Sequence, residues 1–209
     1  MAEPSRPRSG AGPARTLVIA CGALTRELRA VLGQIPGATE RCAITYLPAN
    51  LHNRPDAIPG AVEAAAAAAG SGFDRVFVAY ADCGTGGLLD PVVERLGATR
   101  LPGAHCYEVF AGAATFAALA DAEPGTFYLT DYLARHFDAL VVAGLGLDAH
   151  PELRDTYFAH YRRLVLLAQS DDPDVEARAR RAAETLRLEF TRVRVGLGPF
   201  ATAVHAGVT

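Results

Sequence analysis

Short apolar runs alternate with amphipathic stretches from Thr16 to the end of the chain. "TLVIA" (Thr16–Ala20), "CAITYLPA" (Cys42–Ala49) and "RVFVAYA" (Arg75–Ala81) are rich in β-branched and aromatic residues. Such near-continuous apolar runs predict strands buried on both faces. Between them, "ALTRELRAVLGQ" sets Leu24, Leu28, Val31 and Leu32 on one helical face. "AVEAAAAAA" predicts a helix that Gly70 stops. "GLLDPVVERLG" predicts another, interrupted early by Pro91 and closed by Gly97. "ATRLPG" reads as a short fourth strand, and "HCYEVFAGAATFAALAD" as one strongly apolar helix.

The second half continues the alternation. "GTFYLTDYLARHFD" contains a helix with Thr130 as its N-cap. "ALVVAGLG" and "RRLVLLAQS" read as buried strands. "DPDVEARARRAAETLRL" is a surface helix with Asp172 as N-cap and Pro173 at the first helical position. "EFTRVRVG" alternates as an edge strand does. Strands separated by helices of this length predict an α/β fold. The expected architecture is a wound, mainly parallel sheet with helices on both faces. It is Rossmann-like, and spans residues 16–209 as one domain or two fused halves. Residues 1–15, "MAEPSRPRSGAGPAR", read as a disordered leader without the apolar core of a secretory signal.

Composition narrows the function classes. The 209 residues are 50% hydrophobic and 21% charged, with net charge −3. No clustered basic excess marks a nucleic-acid footprint, and no apolar run reaches membrane-span length. A cytoplasmic protein without nucleic-acid or membrane partners is expected. All 20 basic residues are Arg, which excludes a Lys Schiff base and a phosphate-loop Lys. In a reducing compartment the four cysteines are not expected to form disulfides.

In wound parallel sheets, ligands bind at the carboxyl ends of the strands. The unusual residues cluster at those positions: Cys21-Gly22, His52-Asn53, Asp82-Cys83-Gly84-Thr85-Gly86-Gly87, His105-Cys106-Tyr107-Glu108 and Gly144–Asp148. Cys21, Cys83 and Cys106 all fall on this rim, whereas Cys42 begins a strand on the opposite one. Three thiols on one rim point to soft-metal ligation by zinc or a 4Fe–4S cluster, and the competing reading is three small buried hydrophobes. No CxxC pair sharpens the choice. His105, His52 and Glu108 are candidate proton-transfer groups, and Glu108 alternatively complements a helix N-terminus. Asp82 is placed to orient a ligand. The free N–H groups of Thr85, Gly86 and Gly87, with Arg154, are candidates for holding an anionic substrate. Neither this turn nor "GLGLDAH" fits a nucleotide-binding glycine fingerprint. Asp131, Arg135 and His136 read as structural.

"ACGAL", "LPANLHNRP", "YADCGTGGLLD", "RLPGAHCYEVFAG", "EPGTFYLTDYLARHFD" and "GLGLDAHPELRDTYFAHYRR" together resemble a bacterial and archaeal family, domain of unknown function 1638. The resemblance runs from about Thr16 to about Gln169. Genes of that family often lie near corrinoid-dependent methyltransferases for methylated amines, which implies one-carbon or methyl-transfer metabolism. The layout of the thiols is also similar to quinolinate synthase, where three Cys from three α/β units hold a 4Fe–4S cluster with one open iron. The function expected is therefore a metal-dependent enzyme for a small anionic or methylated metabolite. The alternative is a non-catalytic metal- or corrinoid-binding accessory protein for a partner methyltransferase.

Overall fold

The structure is a computed structural model, and it describes residues 14–209. The expected leader falls almost wholly outside the described residues. The chain runs β1 (Thr16–Cys21), α1 (Thr25–Leu32), α2 (Ala38–Arg41), β2 (Cys42–Leu47), α3 (Ile58–Ala69), β3 (Arg75–Ala79), α4 (Asp90–Arg95) and β4 (Thr99–Arg100). It continues through α5 (Cys106–Ala111), α6 (Ala113–Ala122), β5 (Thr126–Thr130), α7 (Asp131–Arg135) and α8 (Leu153–Tyr157). The last elements are β6 (Arg163–Ala168), α9 (Pro173–Leu186), β7 (Glu189–Arg194) and α10 (Gly198–Val208).

The fold is α/β with parallel sheets, as the alternating pattern predicts. The strands form two sheets, in orders β2-β1-β3-β4 and β5-β6-β7, and every pairing is parallel. β1 lies between two neighbours and all six of its residues are buried, which is why its sequence is continuously apolar. The connections from β1 to β2 and from β2 to β3 run in opposite directions along the sheet. Right-handed crossovers therefore place α1 and α3 on opposite faces. α10 returns from the second sheet to the first and packs on α1, β3 and α5. Phe200, Val204 and Val208 join the first core from it. At Gly207 a β-carbon would lie 2.3 Å from the Phe77 ring, so the helix approaches the sheet as closely as glycine permits.

Two expected elements differ. "ALVVAGLG" is not a strand: Asp138–Val142 forms a π-helical turn after α7, closed by the Ala143 N–H donating to the Asp138 carbonyl at 2.8 Å. Ala139 is exposed while Val141 is buried, so only one side of this apolar run meets the core. The strand preceding the Thr130 cap is instead "TFYLT", whose β-branched and aromatic residues pair along β6. The long apolar helix after His105 is two helices, broken at Gly112, where φ is +79°. The expected start of α9 holds, with the Asp172 side chain capping it and Pro173 opening it; Arg187, at φ +58°, ends it.

Candidate functional site

The thiols sit where three loops leave the first sheet. Cys21 is the last residue of β1 and is buried, and its sulfur accepts from the Ala23 N–H at 3.4 Å. Cys83 lies in the turn after β3, and Cys106 opens α5. Two backbone bonds join the latter loops: the Asp82 N–H donates to the Gly103 carbonyl at 3.2 Å and the Cys83 N–H to the Ala104 carbonyl at 2.7 Å.

The three sulfurs share one electrostatic neighbourhood. Burial pushes the Cys83 thiol up to about 12, and the charge of Cys21 adds to the shift. Burial raises Cys106 further, with contributions from Cys83 and Cys21. Burial also raises Cys21, against the opposing effect of the Ala23 amide. Among the described residues, no group of three His, Cys, Asp or Glu side chains is arranged to hold a metal ion. Burial thus keeps the three groups as neutral thiols, outside any closed coordination shell.

Cys83 carries a second mark. Its φ is +53°, in the left-handed region that side chains other than those of Asn and Asp seldom adopt. The turn that follows holds it there. The Asp82 carboxylate accepts from Thr85 Oγ1 at 2.6 Å, the Gly87 N–H at 2.7 Å and the Gly86 N–H at 3.1 Å. The Thr85 hydroxyl, then the two glycine amides, keep the Asp82 carboxyl below its ordinary range. The anion in this turn is its own aspartate, so the N–H groups of Gly86 and Gly87 are already engaged.

His52 lies across the site. Its Nδ1 meets the Ala49 carbonyl at 2.9 Å and lies 3.9 Å from the Cys21 sulfur. Donation to Ala49 puts the proton on Nδ1 and leaves Nε2 as the lone-pair nitrogen. The residue is exposed at the rim, yet desolvation on the ring's inner side lowers the imidazole's proton affinity and favours the neutral ring. The His52 ring stacks on Tyr80 with centroids 6.0 Å apart. Tyr80, which the sequence reading absorbed into a strand, is 1% exposed, and its hydroxyl has no well-formed hydrogen bond. Burial, then the charge of Cys21, raise its phenol above the ordinary range. A Tyr directly after a buried run, one residue before Asp82-Cys83, was the available signal.

His105 is the N-cap residue of α5, but its side chain does not cap. The ring packs against Phe116 and Tyr107 at 4.7 and 5.2 Å between centroids, and its buried Nδ1 has no hydrogen-bond partner. Glu108 accepts from the Ala104 N–H at 2.9 Å and so closes the loop before α5. Arg154 is engaged with its neighbour Asp155 on α8, with Nε 2.9 Å from Oδ1. Thus Cys21, His52, Cys83 and Cys106 come together, with Tyr80 added. Glu108 and Asp82 brace the loops, and Arg154 is tied to a carboxylate. Gly144 follows no strand, yet a β-carbon there would lie 3.5 Å from Asn53 Nδ2, so this loop still reaches the His52 turn.

Among the described residues, no helix is long and apolar enough to cross a membrane. No curated protein and no solved structure matches the chain. The model of one family matches residues 46–204, further towards the C-terminus than the motifs that first suggested it. On that match, which covers most of its length, the chain belongs to the family described as "Protein of unknown function (DUF1638)".

Proposed function

We propose that this chain is a metal-dependent enzyme acting on a small anionic or methylated metabolite, with Cys21, Cys83 and Cys106 as the metal ligands. The observation that supports this most directly is the delivery of three thiols from three separate loops to the C-terminal rim of the first sheet. Burial penalises loss of a proton from each, and the charge of Cys21 adds to that at Cys83 and Cys106. A soft cation reverses the sign of every one of those interactions, because thiolates then neutralise a shared charge. The strained backbone at Cys83 supports the same reading, since strain of this kind gathers at functional sites. The donor set fits zinc or a 4Fe–4S cluster by chemistry.

When bound with an open position, such a centre supplies Lewis acidity to a substrate oxygen or sulfur. The chain's own residues would handle protons. His52 accepts at Nε2, the nitrogen left free by its Ala49 contact. The Tyr80 hydroxyl is a buried donor without a fixed partner. His105 offers an unpartnered Nδ1 on the other side of the thiols. Asp82, through Thr85, Gly86 and Gly87, holds the Cys83 turn in its left-handed shape. A role in methyl-group metabolism rests on the family resemblance.

Anaerobic purification followed by metal analysis and a visible spectrum tests the reading. Bound zinc, or an iron–sulfur absorption band, should be lost in Cys83→Ala and Cys106→Ala and kept in Cys42→Ala. Metal-free wild type that takes up neither zinc nor iron–sulfur on reconstitution overturns the metal centre. A metal-loaded protein that turns over nothing alone, but binds a corrinoid methyltransferase, would assign the accessory role instead.

A further inference from the structure

A cleft of about 460 Å³ lies between the two halves, lined by Gly22, Thr25, Arg26, Glu27, Arg29, Tyr132, Arg135 and His136. Small-ligand sites typically span roughly 300–1,000 Å³. One wall is α1, which follows the Cys21 rim, and the other is α7, which follows β5. Three guanidinium groups enter it. Arg26 and Arg29 make no ion pair with another described residue, while Arg135 uses one nitrogen on Asp172 at 3.0 Å. Against them stands one carboxyl group. Glu27 is 6% exposed, and its Oε2 is buried without a hydrogen-bond partner.

We propose that this cleft is a binding site for a small anion, a carboxylate or phosphoryl group, held by Arg26, Arg29 and Arg135 with the buried Glu27 carboxyl behind them. The lining is rich in positive charge, and guanidinium forks fit both classes of oxyanion. A carboxylate beside a bound anion would repel it, whereas a carboxylic acid presents a proton. Burial raises the Glu27 carboxyl's proton affinity. Asp131, on α7, raises it further, and Arg135 and Arg26 oppose this. His136 and Tyr132 complete the titratable groups facing Glu27 across the cleft. Anion binding therefore carries proton uptake with it. The cleft begins beside Cys21, at Gly22, but the arginines that line it are not among the proposed metal ligands, and anion binding there does not require a metal.

Sulfate is the first probe, because it stays a dianion across the working pH range, and succinate is the second. Calorimetry on the full chain should show sulfate binding that weakens as pH rises, because Glu27 loses its proton and gains a charge beside the anion. Arg26→Ala/Arg29→Ala should lose roughly tenfold or more in affinity, and the exposed-charge control Arg162→Ala should not. Glu27→Gln removes the ionisable group, so at the highest pH of the series it should bind at least as well as wild type, with the pH dependence gone. His136→Gln should keep that dependence. Stronger binding of sulfate assigns a phosphoryl ligand, and stronger binding of succinate a carboxylate. Unchanged affinity in the double Arg variant overturns the site. Pronounced weakening in Glu27→Gln overturns the acid role and identifies a ligand that brings its own cation.

Discussion

Replacing Asp131 by alanine should weaken the fold severely, because this carboxylate closes the second sheet where β5 and β6 end. Asp131 is 1% exposed. It accepts from the Gln169 and Ser170 N–H groups, each at 3.0 Å, and from the Ser170 hydroxyl. Its own N–H donates to Gln169 Oε1 at 2.7 Å, so the two strand ends are bound in both directions. Hydrogen bonds to a charged group contribute about 1.5–3 kcal/mol each, and abandoned buried donors cost a comparable amount. Three such bonds lost together, with overlap between them, give about 3–5 kcal/mol. That is a large part of the roughly 5–15 kcal/mol by which domains are stable. Urea unfolding followed by circular dichroism measures it. Asp131→Asn keeps one acceptor but turns an amide donor towards another donor, and should fall between alanine and wild type. Loss of less than about 1 kcal/mol in Asp131→Ala would refute the reasoning. It would mean that strand pairing alone holds the β5 and β6 termini.

Two further outcomes are expected. Cys83→Gly removes a side chain from a left-handed position, relieving roughly 1–2 kcal/mol of backbone cost while losing a partly buried sulfur. Its denaturation midpoint should stay close to wild type while metal uptake is lost, whereas Cys21→Gly, at the end of a fully buried strand, should lose both. Acid should weaken the hold of α9. Asp172 is kept below its ordinary range, first by the Arg135 guanidinium and then by the helix amide it caps. A lowered carboxyl stabilises the fold above its unfolded value and loses that contribution as pH falls through the folded value. A melting series from roughly pH 5 to pH 2 should therefore fall less steeply in Asp172→Asn than in wild type. Parallel curves would show that the cap carries no charge dependence.

Much of the architecture was legible because its periods were unambiguous. β1, β3 and β6 are apolar after their first residue, as central parallel strands are, and the Asp172-Pro173 start of α9 carries its own capping chemistry. "ALVV" misled because a short apolar run is the same in a buried strand and in the inner side of a helix. The deciding information was distant: β5 had already filled the place beside β6. The thiol rim was readable for the same reason as the sheet, since parallel strands deliver their ends to one edge. Glu27 and Arg26 were not, because their helix positions look like any solvated face until α7 is placed across the cleft from them. Tyr80 was hidden by its neighbours, a phenol among apolar residues being ordinary core material until its hydroxyl is found without a partner.

The return of α10 to the first sheet gives the polypeptide an order in time. The first core borrows Phe200, Val204 and Val208 from a segment made after the whole second sheet. Until that segment arrives, the face around Phe77 has no cover, although every strand of its own sheet has been made. Its long-range contacts make the closing step slow relative to local helix formation. The half that carries the three thiols is therefore finished only after the second half has been made, so newly made protein passes through a stage with the first sheet's strands in place and the face around Phe77 still open to solvent.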